Sequence, residues 1–411
     1  MEVVVERAAA LDVHKKSVTA CVRVPGKDGE RSEQVRTFPT FLADLEKLRD
    51  WLCAQGVTRV AMESTGSYWK PVYYVLEEAG LELLLVNARH LKQVPGRKTD
   101  VKDACWLAQL LEVGLLRGSF VPEPTLRQLR DLTRYRKRLI QDRTRETQRV
   151  DKVLEDAAIK LGSVASETLG VSGRAMVEAL ISGERDPQVL ANLAKGRLRP
   201  KVGELARALA GRFSEHHAAL LRLHLDHIDH LDQAISALDE RIDEVMAPFA
   251  EDRDLLATIP GVARRTAEVI LAEVGPDMGR FPTSAHLASW AELCPGNNEW
   301  AGKHYSGRTR KGDRWLHDAL TQAAWAAARS KDTYLRAQFW RLVPRIGKKK
   351  AAVAVGHSIL VIAYHVLANG VHYQELGGDY FAKRFDPERR TRQLIRQLQD
   401  LGHIVTLEPA A

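Results

Sequence analysis

Four acidic residues within the first 103 positions have the types and settings of a two-metal nuclease centre. Asp12 follows the apolar run Ala8-Ala9-Ala10-Leu11, Glu63 follows Val60-Ala61-Met62, and Asp100 and Asp103 open the helical segment Asp100-Val101-Lys102-Asp103-Ala104-Cys105. Carboxylate oxygens are the ligands that hard cations such as Mg²⁺ take. Two such ions about 4 Å apart stabilise both the attacking and the leaving oxygen of a phosphodiester displacement. Each acid alone reads as a polar strand end or, for Asp100, as a helix N-cap. Together, at matched topological positions, they read as a metal site.

The elements that must bring them together follow from periodicity. Residues 8–13, 18–24 and 33–39 read as a Val-rich meander, bounded by His14-Lys15-Lys16 and by Pro25-Gly26-Lys27-Asp28-Gly29. A helix over 40–55 places Leu42, Leu45, Leu48 and Leu52 on one face, with Thr40 as N-cap and Gly56 as the stop. Strand 58–62, a helix over 68–78, strand 81–86 and a helix from about residue 100 follow. The order βββαβαβα is that of an RNase H-like α/β fold, in which the first strand, the end of the fourth and a late helix lie side by side. The spacing of three puts Asp100 and Asp103 on neighbouring positions of one helix face.

Charge and composition point the same way. Arg89, His90, Arg97, Lys98 and Lys102 flank the acids with phosphate-attracting charge, and the chain carries a net charge of +8 with a pI near 9.3. Such a balance favours a polyanionic partner, nucleic acid first. At 411 residues, two or three domains are expected. Cys21, Cys53, Cys105 and Cys294 form no CxxC pair, which speaks against a zinc ribbon or disulfide framework and for reduced thiols. The N-terminus lacks a signal-like pattern, and no segment reads as the roughly 20 apolar residues of a membrane span. The expectation is a soluble, cytoplasmic protein with no membrane partner.

From about Thr125 the chain reads as helical and highly charged. Arg134, Arg136, Lys137, Arg138, Arg143, Arg145 and Arg149 face only Asp142 and Glu146 locally, which favours phosphate contact over a solvated helix balanced by acids elsewhere. A less regular region, 160–212, precedes a long helix over 214–246. Its Leu221, Ile228, Ile235 and Ile242 occupy one heptad position and Leu231, Leu238 and Val245 the other, with His224 as the polar interruption. The pattern predicts an all-α, coiled-coil middle domain over 123–250. His216, His217, His224, His227 and His230 lack a carboxylate or cysteine constellation to complete a metal shell and read as core or surface histidines.

A mainly helical third domain is expected over 251–376. It opens with Ile259-Pro260-Gly261-Val262, the turn of a helix-hairpin-helix, which presents backbone N–H groups to a phosphate. Over 303–314, Lys303, Arg308, Arg310, Lys311 and Arg314 stand against Asp313 alone, and Gly302, Gly307 and Gly312 would let backbone approach a phosphate chain. Helices over 315–330 and 351–369 follow, then a charged tail over 377–411. Trp315, Trp325, Phe339 and Trp340 read as packing residues.

Four segments together resemble one family. Leu11-Asp12-Val13-His14-Lys15-Lys16, Met62-Glu63-Ser64-Thr65-Gly66-Ser67-Tyr68-Trp69, Lys98-Thr99-Asp100-Val101-Lys102-Asp103-Ala104 and Cys294-Pro295-Gly296-Asn297-Asn298-Glu299 look like the DEDD insertion-sequence transposases (insertion-sequence 110 and 1111 type) related to the Piv invertase. The resemblance covers about residues 8–375. It implies a RuvC-like domain over 1–122, a coiled-coil middle and a C-terminal transposase domain. It also implies a recombinase acting on donor and target DNA duplexes, assembled from homodimers into a tetramer and guided by a non-coding bridge RNA. The family's tetrad carries Mg²⁺ or Mn²⁺ and maps onto Asp12, Glu63, Asp100 and Asp103. A C-terminal serine is the family's nucleophile, forming a phosphoserine link to DNA.

At that serine the chain departs from the pattern. The family loop commonly reads Pro-Gly-Asn-Asn-Glu-Ser-Ala-Gly-Lys, and here Trp300 stands in the serine's place. Tryptophan has no nucleophilic oxygen, so strand exchange is expected to be lost or impaired with binding retained. Ser306, in the Ser-Gly-Arg-Thr-Arg-Lys segment that the family also has, is not an obvious substitute, and either it or a metal-activated water is left to do the cutting. Arg97, Lys98, Lys102, Arg134, Arg138, Lys303, Arg308, Arg310, Lys311 and Arg314 are the candidate nucleic-acid contacts. Two other functions stay open: a RuvC-like, structure-selective nuclease acting through the tetrad alone, and a non-catalytic nucleic-acid-binding derivative of a transposase.

Overall fold

Short central strands buried on both faces set the architecture of residues 1–122, the first of two compact units in the computed structural model; the second is 123–411. The structure describes residues 3–26, 30–64, 66–87, 100–294, 299–300, 302–304, 312–383 and 387–407, with the backbone alone for 100–102, 299, 300, 304, 387, 389 and 390. Helices of seven residues or more are numbered below.

β1 (Ala8–Val13), β2 (Ser17–Pro25) and β3 (Arg31–Pro39) form an antiparallel meander. β4 (Arg59–Glu63) pairs in parallel with β1, and β5 (Glu82–Val86) with β4, giving the order β3-β2-β1-β4-β5. Successive side chains of a strand point to opposite faces. Ala9, Leu11, Val13, Val60 and Met62 therefore share a core with Leu45, Leu48 and Leu52 of α1 (Leu42–Ala54) and Val72 and Leu76 of α2 (Trp69–Glu77). Ala8, Ala10, Cys21 and Ala61 pack instead against Ala104, Leu107, Ala108 and Leu111 of α3 (Asp100–Glu112). Covering both faces explains why β1 and β4 are nearly continuous apolar runs. The element order is the βββαβαβα expected from the sequence.

The direction of α3 is fixed at its far end. Val4 and Val5 donate their backbone N–H groups to the Glu112 carbonyl at 2.8 and 3.0 Å, pinning the end of α3 beside the start of β1. α3 thus runs antiparallel to β1. Its 13 residues at about 1.5 Å each match the length of the six strand residues at about 3.3 Å. Its first turn consequently arrives at the carboxyl ends of β1 and β4.

In the second unit, α4 (Pro124–Asp156) and α7 (Glu215–Met246) form an antiparallel hairpin, crossed by the pairs Arg136–Asp239, Arg143–Asp232, Glu146–His224 and Asp156–His217. Leu221, Leu225, Ile228, Leu231, Ile242 and Met246 of α7 are buried, while Ile235 and Leu238, also on the heptad seam, are half-buried. The seam's partner is intramolecular. Between the two helices, the region that reads as irregular folds into short helices, including α5 (Val171–Ile181) and α6 (Val202–Leu209). Their Met176, Val177, Leu180 and Leu205 close a core with Val150, Leu154, Leu221 and Ile228. Gly173 within α5 and Pro200 just before α6 are the residues that make this region read as turns.

The remaining helices are α8 (Ala250–Ala257), α9 (Arg264–Val274), α10 (Ser284–Trp290), α11 (Arg314–Ala327), α12 (Tyr334–Asn369) and α13 (Pro387–Asp400). Leu126, Leu129, Ile242 and Met246 of the hairpin share one core with Leu271, Leu320, Phe339 and Ile359. The helix expected over 351–369 is the part of α12 that follows Gly347 (φ 78°, ψ 161°), and that kink, three residues after Pro344, joins it to a preceding helix from Tyr334 that the periodicity did not predict. By length and composition α12 is apolar enough to cross a membrane, contrary to the expectation of no such segment. Its Leu335, Phe339, Val355, Ile359, Leu360 and Val366 are buried in this core.

Candidate active site

Parallel pairing of β1 and β4 places Leu11 opposite Met62, which makes Asp12 and Glu63 the next neighbours along the two strands. Both are in phase with Ala8, Ala10 and Ala61, the positions that face α3. Along α3, positions 100 and 103 stand four residues before Ala104 and Leu107, which are buried against the sheet. They continue that stripe one turn toward the helix N-terminus. The fold thereby brings Asp12, Glu63 and Asp103 to one edge of the sheet. The backbone of Asp100 starts the helix there, and its side chain lies outside the described residues.

Among the described residues, three potential ligands within 4.8 Å of one another occur at Cys21, Glu33 and Cys105, not among the tetrad. Asp12, with its side chain 19% exposed, has His14 Nε2 3.1 Å from its Oδ2.

The cysteine pair is what sequence reasoning missed. Cys21 lies opposite Ala10 of β1 and Val35 of β3, on the α3 face, and Cys105 follows Ala104 on the helix that covers it. The phase of β2 was the available signal. Burial pushes the Cys21 thiol well up, and burial also raises Cys105. Beside them, Arg23 bonds both Glu33 and the buried Glu112, and Arg31 Nε lies 2.6 Å from Glu112 Oε1.

The basic residues divide into paired and exposed groups. Arg134, expected to meet a phosphate, instead forks onto the fully buried Glu273 at 2.7 and 2.6 Å and reaches Asp313 at 3.0 Å. Burial pushes the Glu273 carboxyl up to about 7, against the pull of Arg134. Arg136, Arg143, Arg145 and Arg149 likewise pair with Asp239, Asp232, Asp142 and Glu146. The acids that answer Arg134, Arg136 and Arg143 come from α7, α9 and the start of α11, out of reach of local charge counting. Arg138 and Arg314 place their guanidinium carbons 5.6 and 5.9 Å from the ring centre of the half-buried Trp315. Arg314 is exposed and 3.9 Å from Asp318.

Lys303 is exposed on β7 (Lys303–His304), which pairs with β6 (Glu299–Trp300) so that Trp300 faces Lys303 across a two-strand ladder. The Trp300 side chain, the Lys102 side chain, and Arg97, Lys98, Ser306, Arg308, Arg310 and Lys311 lie outside the described residues.

Two glycines singled out for phosphate approach serve packing. A Cβ at Gly261 would come 2.3 Å from the Ala323 carbonyl oxygen of α11, and one at Gly312 would come 2.6 Å from that of Ala291. Beside Gly261, Arg264 and Arg265 pair with Asp243 and Glu268. The histidines of α7 also find carboxylates: His217 meets Asp156, and His224 and His227 meet Glu146.

Two family models match the chain. One, of the DEDD IS110 type and described as transposase, covers residues 9–159, which hold all four acids. The other, described as the transposase IS116/IS110/IS902 family, covers residues 253–340, which hold Trp300 and the basic loop. Among similar proteins, an insertion element IS110 uncharacterized 43.6 kDa protein of Streptomyces coelicolor is 25% identical over 82% of this chain and 89% of its own length. A putative transposase, y4qE, of Sinorhizobium fredii is 26% identical over 68% of this chain and 58% of its own. The pilin gene-inverting protein of Moraxella bovis is 29% identical over 34% of this chain and 46% of its own. With matches in order at both ends and a relative similar along most of its length, the chain belongs to the IS116/IS110/IS902 family of insertion-sequence transposases.

Proposed function

We propose that this chain is a DNA-cutting and rejoining recombinase whose RuvC-like centre comprises Asp12, Glu63, Asp100 and Asp103. The observation that carries the proposal is the meeting of Asp12 on β1, Glu63 on β4 and the first turn of α3 at one sheet edge. Carboxylate oxygens at that edge suit Mg²⁺ or Mn²⁺, which when bound neutralise charge on the phosphate being displaced. The chain's own contribution is rigid placement: strand neighbours hold Asp12 beside Glu63, and the anchored helix holds Asp103 over them. Lys303, Arg314 and Arg138, with Arg97, Lys98, Lys102, Arg308, Arg310 and Lys311, grip the DNA backbone. The domain assignment that goes with this is RuvC-like over 1–122, helical hairpin over 123–250 and transposase domain over 251–376.

Trp300 occupies the place of the C-terminal nucleophilic serine, so strand exchange is impaired while binding of donor and target duplexes and of a bridge RNA persists in a tetramer in the cytoplasm. Purified chain, its flanking non-coding RNA and matching duplexes in Mg²⁺ test this. The chain as it stands yields no joined product, and Trp300→Ser yields it. Absence of product from both overturns the recombinase assignment. Product from the unaltered chain that vanishes in Ser306→Ala moves the nucleophile to Ser306.

Trp300 itself favours a second reading, a structure-selective nuclease acting through the tetrad alone. It requires RNA-independent, metal-dependent nicking of branched DNA, abolished by Asp12→Ala and indifferent to residue 300. A non-catalytic binder would show no activity that Asp12→Ala removes.

A further inference from the structure

We propose that Cys21, Cys105 and Glu33 form a second metal site, specific for a thiophilic divalent ion such as Zn²⁺, that clamps α3 onto β2 and β3. Their ligand atoms all lie within 4.8 Å of one another. A tetrahedral shell with Zn–S near 2.3 Å and Zn–O near 2.0–2.2 Å sets ligands about 3.5–3.8 Å apart, so closure asks for shifts of about 1 Å. Water completes the fourth position.

The surroundings fit the charge. Arg23 and Arg31 face Glu33 and Glu112, a neutral set while the two thiols keep their protons. Binding M²⁺ with release of both thiol protons leaves the total unchanged, so the ion-pair network need not rearrange. Glu33 bonds Arg23, and a carboxylate has enough lone pairs to serve a guanidinium and a metal together. Softness separates this site from the proposed tetrad: thiolates select Zn²⁺ over Mg²⁺, carboxylates alone do not. The ligands come from two strands and the helix, and Cys105 sits two residues after Asp103. A metal there positions the turn that carries Asp103, and it requires no nucleic acid.

Cobalt substitution tests this on the full chain in a Cys53→Ser, Cys294→Ser background, which removes the other two thiols; the Cys294 sulfur lies 3.9 Å from His357 Nε2. Chelator-stripped protein titrated with Co²⁺ gains a thiolate-to-cobalt charge-transfer band with one-to-one stoichiometry, and Zn²⁺ bleaches it. Cys21→Ser or Cys105→Ser abolishes the band, and Glu33→Gln weakens Co²⁺ binding at least about tenfold while leaving both thiols in place. Zn²⁺ raises the thermal midpoint of the parent by several degrees and leaves that of Cys105→Ser unmoved. No band, a band that survives both cysteine substitutions, or a Cys21–Cys105 disulfide formed in air in place of metal binding overturns the proposal. Asp12→Ala leaves the band intact, so failure of this site and failure of the recombinase centre are read separately.

Discussion

His224 of α7 holds its Nδ1 2.6 Å from Oε1 of Glu146 in α4, which turns the polar residue in an apolar seam into a cross-link between the two long helices. Burial alone would raise the Glu146 carboxyl, but the bonds from His224 and Arg149 outweigh it and hold the group below its ordinary value of 4.5. A carboxylate depressed in the folded state adds stability that is present above about pH 4.5 and is lost as pH falls through the lower folded value. Urea unfolding at a series of acid pH values is expected to show a shallower acid limb in Glu146→Gln than in the parent. Superimposable limbs would count against the linkage.

Arg134 acts on stability. Removing it takes the fork from the buried Glu273 and leaves that carboxyl to Arg130, whose Nε lies 3.3 Å from Oε2, so the loss falls at or below the lower end of the about 3–5 kcal/mol of a fully broken buried pair. Because burial already lifts Glu273 to about 7, the carboxyl of Arg134→Ala takes up a proton near neutrality, and the destabilisation grows as pH rises. Denaturant titrations at pH 6 and pH 8 check both size and slope. A variant as stable as the parent but weaker in DNA binding would restore Arg134 to the nucleic-acid face.

Lys303 and Arg314 should behave in the opposite way. Each is exposed, so alanine there leaves the stability within about 0.5 kcal/mol of the parent. Each substitution is expected to lower the slope of log binding constant against log salt by about 1, the mark of one lost phosphate contact. Fluorescence anisotropy with a labelled duplex across a salt series reads this slope.

Gly261→Ala separates packing from phosphate recognition. The backbone there has φ near +89°, and the added methyl would press on Ala323 and Ala327 of α11, so a destabilisation of roughly 2 kcal/mol or more is expected. Thermal unfolding detects it. A fully stable variant with weakened DNA binding would return the turn to its helix-hairpin-helix role.

The sheet was legible because strands of period two, buried on both faces, leave an unmistakable apolar run, and the acids that end those runs show themselves by breaking it. What escaped depended on partners distant along the chain. Local counting of charge around Arg134, Arg136 and Arg143 could not see Glu273, Asp239 and Asp232. Cysteine spacing could not show that β2 and α3 bring Cys21 and Cys105 together. The helices between 160 and 212 were masked by turn-forming residues in and beside them, Gly173 in α5 and Pro200 before α6, and the start of α12 was hidden by Pro344 and Gly347, residues that a kink accommodates.

The rungs between α4 and α7 carry a consequence for how such chains can diverge. Because Arg136, Arg143 and Glu146 meet partners on an antiparallel strut, a single residue added to one helix rotates every later rung by about 100° and breaks them all. Length can change here through matched additions of whole heptads to both arms. The hairpin is thus a ruler with coarse graduations, and relatives that differ in reach should differ by those steps.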